Sequence, residues 1–228
     1  MNLTPNCVEC AFKSRVVESL TTEELTLLKE NCTVVLCKAG EIILKEGRLS
    51  SHIAYIKSGL VKIHKVGPNG TDQILKIVTP GYYTGIQTIL SDKFHRYSVT
   101  AIEDSEVCNI DINLFKELII KNPDFASELI LYLCKDELSY FDRFVNHFQK
   151  HINGRLADSL LYFANEIYGK DKFTLPLTRS DFATLICSTR ESITRALKEF
   201  SDTKILKVEG KQIEILNKEM LIKLSLGG

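Results

Sequence analysis

The chain has 228 residues, of which 44% are hydrophobic and 25% are charged, which is typical of a soluble globular protein of one or two domains. The formal net charge is zero, so any affinity for nucleic acid must come from a local basic face. No apolar run has the length of a transmembrane helix, and the opening MNLTPNCVEC does not match a signal peptide. We therefore expect a cytoplasmic protein with no membrane partner.

The cysteines begin close to the start of the chain. The total of seven is odd, and with no export signal it argues against a disulfide framework. Cys7 and Cys10 form a Cys-x-x-Cys pair ahead of a helix that Thr21 or Thr22 can cap. This pair is compatible with zinc, with a thiol redox switch or with a structural role, and the residues alone do not choose between them.

A period of two begins near Thr33 and is typical of half-buried strands. Gly47, Gly59, Gly70 and Gly81 divide the region at intervals of 11 or 12 residues. Short strands with evenly spaced turns predict an antiparallel roll, jelly roll or barrel. The predicted strands are residues 33–37, 41–44, 53–57, 60–66, 73–78, 97–102 and 106–110.

The stretch 124–151 contains neither proline nor glycine and predicts one long helix after a short one at 112–120. Its apolar seam is typical of a dimerising coiled coil, and the alternative is a core helix that lies on its own roll. Residues 151–154 predict a hinge, followed by a helix at 155–168 and a short strand at 173–177. The seam residues are Phe125, Leu129, Tyr132, Leu133, Tyr140, Phe141, Phe144 and Phe148.

The C-terminal stretch predicts a winged helix-turn-helix. A short helix at 179–186 is followed by a turn at Cys187-Ser188 and a second helix at 190–200, for which Thr189 is a good N-cap. Strands at 205–208 and 212–216, joined by a turn at 209–211, form the wing. The alternative is an ordinary solvated amphipathic helix beside a hairpin, which the wing and the charged face described next make less favourable.

The second helix carries Arg190, Glu191 and Arg195 opposite its apolar stripe. Arginine can bond guanine O6 and N7 together, and glutamate can accept from cytosine N4, so this face suits a DNA major groove. Free N–H groups at the helix start suit a phosphate. The predicted DNA-binding residues are Thr178, Arg179, Ser188, Thr189, Arg190, Glu191, Ser192, Arg195, Lys198 and Lys211.

The order of roll, long helix and winged helix-turn-helix resembles the Crp/Fnr family of bacterial transcription regulators. In the roll, the similar stretches are GE at 40–41, YIKSGLVK at 55–62, QIL at 73–75 and PGY at 80–82. In the C-terminal part they are LTR at 177–179, TRESITR at 189–195 and IL at 205–206. The resemblance implies an α+β fold with an N-terminal antiparallel, cyclic-nucleotide-binding-like β-roll at 1–123, a dimerisation helix and hinge at 124–152, and a winged helix-turn-helix at 153–228.

The resemblance also implies a function. Members of the family are homodimers that bind a palindromic operator, contact RNA polymerase and are regulated through the roll. Arg190, Glu191 and Arg195 match the base-reading positions of the Crp branch, which favours a half-site like TGTGA over TTGAT. We expect an effector or redox event to repack residues 124–151 and the hinge near Asn153, and so to change the angle between the recognition helices.

The effector pocket departs from the cyclic-AMP-binding members. These carry Gly-Glu-Leu followed by Arg-Ser-Ala, whereas here Gly85 precedes Ile86-Gln87 and Arg96 precedes Tyr97-Ser98. The ribose-binding acid is missing, so cyclic AMP is not favoured and the effector stays unknown. By resemblance the candidate pocket residues are Gly85, Gln87, Arg96 and Ser98.

Iron–sulfur members of the family suggest a different signal. Cys7, Cys10 and Cys108 resemble three of the four cluster ligands, but the third expected position, near Val16, has no cysteine nearby. The set is one ligand short unless Cys32 or Cys37 substitutes, so we commit to no metal site. A redox or gas sensor of the same family is the alternative reading of these cysteines.

Two further classes of protein compete with a regulator. A cupin-like metalloenzyme would need clustered histidines and carboxylates, but the five histidines are scattered, and no nucleophile elbow is present. We therefore expect no enzyme. A cyclic-nucleotide-binding module that never touches DNA is the other alternative, and the predicted wing and recognition helix argue against it.

Overall fold

Antiparallel strands in two facing sheets build the N-terminal part of the chain. The structure is a computed structural model that describes residues 13–91 and 93–227. One sheet has the order β1-β8-β3-β6 and the other β2-β7-β4-β5. Every predicted strand of the roll is confirmed. The strands are β1 Cys32–Cys37, β2 Ile42–Leu44, β3 His52–Ser58, β4 Val61–Val66, β5 Asp72–Val78, β6 Tyr83–Thr84, β7 Ser98–Ala101 and β8 Ser105–Asp111.

The space between the two sheets is filled by alternate residues of the strands. In β4, Val61 and Ile63 are at most 2% exposed, whereas Lys62 and His64 lie on the other face and are only partly buried. This is the period of two that the sequence shows. The cluster consists of Leu44, Ala54, Ile56, Val61, Ile63, Val78, Val99 and Val107.

A second core lies between the other face of the β1-β8-β3-β6 sheet and a group of helices. These are α1 Arg15–Glu18, α2 Thr22–Glu30, α4 Ile112–Lys121 and the first half of α5 Pro123–Gln149. Thr21 caps α2 with a complete capping box, in which its hydroxyl accepts from the Glu24 N–H at 3.2 Å. The short strand β6 and the helix α3 Ile86–Ser91 were not predicted. A strand of two residues is too short to show a period of two in the sequence.

The two halves of helix α5 differ in how far their apolar side is covered. In its first half, Phe125 and Leu129 are at most 2% exposed and belong to the core of the roll. In its second half, Phe141, Phe144 and Phe148 are 55%, 64% and 76% exposed in the single chain. The first half is therefore a core helix, and the second half keeps an uncovered apolar side.

A buried polar cluster attaches α5 to the roll. Asp136 is 9% exposed, and its carboxylate pairs with the Lys76 ammonium group and accepts a hydrogen bond from the Tyr82 hydroxyl at 2.6 Å. The Lys76 nitrogen also lies 4.5 Å from the centre of the Tyr82 ring. In addition, the hydroxyl of Tyr132 accepts from the Tyr83 N–H at 3.0 Å.

The division into two compact units, Met1–Leu138 and Ser139–Gly228, falls inside α5. The second unit continues with α6 Ile152–Tyr162 and a π-helical turn at Phe163–Ile167, where one helix at 155–168 was predicted. Its other elements are β9 Lys172–Thr174, α7 Arg179–Leu185, α8 Arg190–Asp202, β10 Leu206–Glu209, β11 Gln212–Ile215 and α9 Lys218–Gly227.

The helix break predicted at 151–154 is shorter in the structure, and a hinge motion at this place stays a prediction. His151 has extended backbone, φ −67° and ψ 169°, and is the N-cap of α6. Asn153 and Gly154 therefore lie in the first turn of the helix, where Gly154 is buried. A glycine often indicates a flexible point of the chain, but Gly154 lies at a buried position of a helix.

The predicted strand at 173–177 is also shorter than expected. Only Lys172–Thr174 pairs with β11. Pro176 has no N–H to contribute to a ladder, which is why the strand ends before it. Leu175 and Leu177 are buried nonetheless, and this burial is the source of the misleading apolar pattern.

A membrane span requires a helix that is long and apolar throughout. Among the described residues, no helix is both long and apolar enough to cross a bilayer.

We predict that Asp136→Ala destabilises the roll by about 3–5 kcal/mol, because it removes the carboxylate that pairs with the Lys76 charge in a largely buried place. The measurement is urea unfolding of the full chain followed by circular dichroism. The control is Glu117→Gln, which removes the exposed pair with Lys121 and should cost less than about 0.5 kcal/mol. Equal losses in the two variants would contradict the role of the buried pair.

Candidate nucleic-acid interface

Helix α7 begins with a complete capping box. The hydroxyl of Thr178 accepts from the Asp181 N–H at 3.0 Å and donates to the Asp181 carboxylate at 2.7 Å. Phe182 and Leu185 point inward and are at most 7% exposed. The cap and this apolar side fix the start and the orientation of the first helix of the motif.

The turn between the two helices depends on one residue with left-handed backbone. Cys187 has φ +52°, a conformation that favours glycine and costs other residues about 1–2 kcal/mol. The turn is closed by the Ser188 N–H, which donates to the carbonyl of Ala183 at 2.8 Å. Such a bond ends a helix abruptly, so α8 can start three residues later in a new direction.

Helix α8 has one buried and one exposed side. Thr189 caps it by accepting from the Ser192 N–H at 3.2 Å. Its apolar stripe, Ile193, Leu197 and Phe200, is at most 3% exposed. The side chains on the other face, Arg190, Glu191, Arg195 and Lys198, are all exposed.

The first turns of α8 carry a chain of polar contacts. The Thr189 hydroxyl donates to the Ser192 hydroxyl at 3.0 Å, and the guanidinium of Arg195 donates to the same oxygen at 3.4 Å. The guanidinium of Arg195 is therefore directed toward the N-terminal end of the helix. There it can act together with Arg190 on a single ligand surface.

The wing is a hairpin with a two-residue turn. Strands β10 and β11 pair antiparallel, and β9 extends the sheet. Glu209, predicted in the turn, pairs with Gln212, so the turn consists of Gly210, at φ +61°, and Lys211. The side chain of Lys211 is exposed at the tip.

Arg179 connects the first helix to this turn. Its guanidinium donates to the carbonyl of Gly210 at 2.7 Å, and partial burial lowers the pKa of the side chain below its ordinary value. A cavity of about 300 Å³ lies beside this contact. It is lined by Arg179, Thr194, Leu197, Lys198, Ser201 and Val208.

Three of these lining residues, Thr194, Ser201 and Val208, were missed in the sequence. A signal was available, since Thr194, Lys198 and Ser201 follow the spacing i, i+4, i+7 along one side of α8. Their proximity to Val208 of the wing depends on tertiary packing. The predicted DNA-binding residues thus lie on α7, the turn, α8 and the wing tip of one unit.

The candidate effector residues do not converge on one another through their side chains. The Gly85 N–H donates to the Tyr97 hydroxyl at 2.8 Å, and that hydroxyl donates to the Gln87 amide oxygen at 2.9 Å. Ser98 instead accepts from the Glu46 N–H at 3.0 Å, and Arg96 is exposed. Tyr97, which was not among the predicted pocket residues, therefore satisfies the N–H of Gly85 and the side-chain oxygen of Gln87.

The candidate metal ligands are only partly visible. Cys7 and Cys10 lie outside the described residues. Cys108 is half-buried in β8 opposite Val34 of β1, so it shares a face of the sheet with Cys32, whereas Cys37 lies on the other face. Cys37 is therefore not placed to join Cys108. Within the described residues, no group of three or more histidine, cysteine, aspartate or glutamate side chains could hold a metal ion.

Comparison with known proteins identifies both parts of the chain. A model of the cyclic nucleotide-binding domain matches residues 34–122, and a model of the Crp-like helix-turn-helix domain matches residues 154–224. The chain belongs to the Crp/Fnr family of transcription regulators. It is a DNA-binding regulator, and the expectations for family and fold class are confirmed.

Two curated relatives are named for different signals. The CRP-like cAMP-activated global transcriptional regulator of Mycobacterium tuberculosis is 23% identical over 219 residues, which are 94% of this chain and 98% of that one. The fumarate and nitrate reduction regulatory protein of Vibrio cholerae is 28% identical over 191 residues, 82% of this chain and 76% of that one. Similarity to both leaves the signal of this chain undecided.

A solved structure supports the fold. FixK2 from Bradyrhizobium japonicum superposes with a TM-score of 0.76 at 23% identity and covers 85% of this chain and 96% of that one. At this level of identity the likeness concerns the fold alone.

We predict that Arg179→Met loosens the wing. Methionine keeps the length of the side chain but cannot donate to the Gly210 carbonyl, so amides of residues 206–215 should lose about 1–2 kcal/mol of protection from hydrogen exchange. Lys198→Met, which changes a cation in the lining of the same cavity, is the control and should leave wing exchange unchanged. Unaltered exchange in Arg179→Met would show that the contact does not hold the wing.

Proposed function

We propose that this Crp/Fnr regulator acts as a homodimer that places α8 of each copy in successive major grooves of a palindromic operator. The observation that supports this most directly is the exposed row Arg190, Glu191 and Arg195 on a helix whose opposite side is buried. Arginine and glutamate together can discriminate guanine and cytosine edges. The favoured half-site is like TGTGA, as the resemblance to the Crp branch implies.

Backbone contacts would come from the ends of the motif. The hydroxyls of Ser188 and Thr189 and the N–H groups at the start of α8 suit one phosphate, because a helix N-terminus favours an anion. Thr178, Ser192 and the cations of Arg179, Lys198 and Lys211 would complete the contact with neighbouring phosphates. Such contacts fix register without reading sequence.

Dimerisation would be driven by the second half of α5. Leu138, Phe141, Phe144, Val145 and Phe148 are between 45% and 76% exposed, and their spacing follows one side of a helix. An isolated apolar side of this length is unfavourable in water, and a second copy of the same helix would cover it. Two copies related by a twofold axis would also match the symmetry of a palindromic site.

The cellular setting follows from this function. We propose that the protein works in the cytoplasm, contacts RNA polymerase from its operator and carries no enzymatic activity. Regulation would pass through the roll and its attachment to α5 by Lys76, Tyr82 and Asp136. Because the Tyr97 hydroxyl already bonds to Gly85 and Gln87, the roll is better suited to a signal other than cyclic AMP.

We predict that Arg190→Ala and Arg195→Ala each weaken operator binding by about 1–3 kcal/mol and relax base choice at one position of the half-site. The operator is first selected from random duplex DNA, and the affinity is then measured by fluorescence anisotropy at fixed salt. Lys116→Ala, an exposed cation on α4 of the roll, is the control. Full affinity in both arginine variants would contradict base reading by α8.

We predict that Phe144→Glu converts the dimer to a monomer, because a charge at the seam would be buried against its own copy. Leu49→Glu is the matched control, since Leu49 in the roll and Phe144 are both 64% exposed. Sedimentation equilibrium measures the molecular mass of each variant. A dimer that survives Phe144→Glu would refute the proposed seam.

A further inference from the structure

A cluster of reactive and basic side chains lies behind the turn of the helix-turn-helix. The Cys187 sulfur is 3.4 Å from Nδ1 of His147, a residue forty positions earlier in the chain. The Arg155 guanidinium donates to the His147 carbonyl at 3.0 Å. All three residues belong to the second unit. The contact brings together the end of α5, α6 and the turn, which no sequence motif connects.

The imidazole in this cluster is a hydrogen-bond acceptor for the thiol. Burial lowers the pKa of His147, and the positive charges of Arg143 and Arg155 lower it further. Both effects favour the neutral ring, and with its proton on Nε2 the Nδ1 atom can accept a hydrogen bond from the thiol. A thiol beside a base has the arrangement that activates cysteine as a nucleophile.

The thiol is also accessible to small molecules. Cys187 is an exposed residue, and the positive charges of Arg143 and Arg155 act on His147, which its sulfur contacts. Reactive cysteines are found in partly exposed, electropositive places of this kind. An anionic co-reactant such as glutathione disulfide would be attracted to them.

We propose that Cys187 is a thiol-modification site, at which a low-molecular-weight disulfide forms a mixed disulfide and switches off DNA binding. The Cys187 proton passes to Nδ1 of His147, and the thiolate attacks one sulfur of the disulfide. A new S–S bond forms as the old one breaks, and the leaving thiolate takes the proton from His147. One thiol and one disulfide become one mixed disulfide and one thiol, so no further oxidant is required.

The effect of the modification on DNA binding follows from the position of Cys187 in the turn, and it rests on the proposed function. Cys187 immediately precedes Ser188 and Thr189, which we assign to a backbone phosphate. A glutathione adduct would add bulk and carboxylates at this point. Like charges brought together at an interface weaken binding, so the modified protein should release its operator.

The test begins with the rate of modification. Reduced full-length protein is incubated with glutathione disulfide, and peptide mapping by mass spectrometry follows each cysteine. Cys134 is the control, because it is exposed on α5 in the single chain and the structure shows no histidine contact at its sulfur among the described residues. It lies four positions before Leu138 of the proposed seam, so both rates are measured in the Phe144→Glu variant, in which we expect no second copy to cover it. We expect Cys187 to react about tenfold faster than Cys134 or more, and His147→Gln to remove most of that difference. Equal rates would overturn the site.

The second part measures operator binding before and after treatment. We expect treatment to weaken binding by the wild-type protein about tenfold or more, and dithiothreitol to restore it. Cys187→Ser should bind the operator and resist treatment, while Cys134→Ser should remain sensitive. Equal loss of binding in treated Cys187→Ser and wild type would overturn the switch.

A failure of the proposed function gives a different result from a failure of the thiol site. Reduced protein that selects no DNA sequence contradicts the operator proposal. The ratio of reaction rates between Cys187 and Cys134 still decides whether the thiol site exists.

Discussion

Ile193, Leu197 and Phe200 are each at most 3% exposed, and their burial against α6, α7 and β10 fixes the rotation of α8 about its axis. Side chains on the opposite face have no freedom to turn inward, because the stripe and the Thr189 cap hold the helix at its side and its start. Every DNA-facing side chain that α8 contributes to the proposed interface depends on this constraint. A helix rotated by one position would bury arginine and expose phenylalanine.

The apolar side of α5 is covered in the first half of the helix and uncovered in the second half. Phe125 and Leu129 complete the core of the roll, and the buried Asp136 is held by Lys76 and Tyr82. Beyond this point the apolar residues have no cover within the single chain, as the 76% exposure of Phe148 shows. One uninterrupted helical pattern thus serves intramolecular packing first and, as we propose, association with a second copy afterwards.

The two proposed regulatory features lie in different parts of the molecule. In the roll, the Tyr97 hydroxyl satisfies the Gly85 N–H, to which the family resemblance would assign an effector. In the DNA-binding unit, the thiol of Cys187 contacts His147 at the turn between α7 and α8. A signal acting on the turn would need no transmission through the roll, since the modified atom is adjacent to the proposed phosphate contacts.

Local pattern was sufficient for most of the secondary structure and for the orientation of α8. Alternation predicted the strands of the roll, and i, i+4, i+7 spacing separated the buried stripe from Arg190, Glu191 and Arg195, because both periods follow from backbone geometry. Only the tertiary structure showed that Tyr97 bonds to Gly85, that Arg179 holds the wing turn and that His147 meets Cys187. The last two contacts join residues 31 and 40 positions apart, and such distances depend on how elements pack rather than on any repeat along the chain.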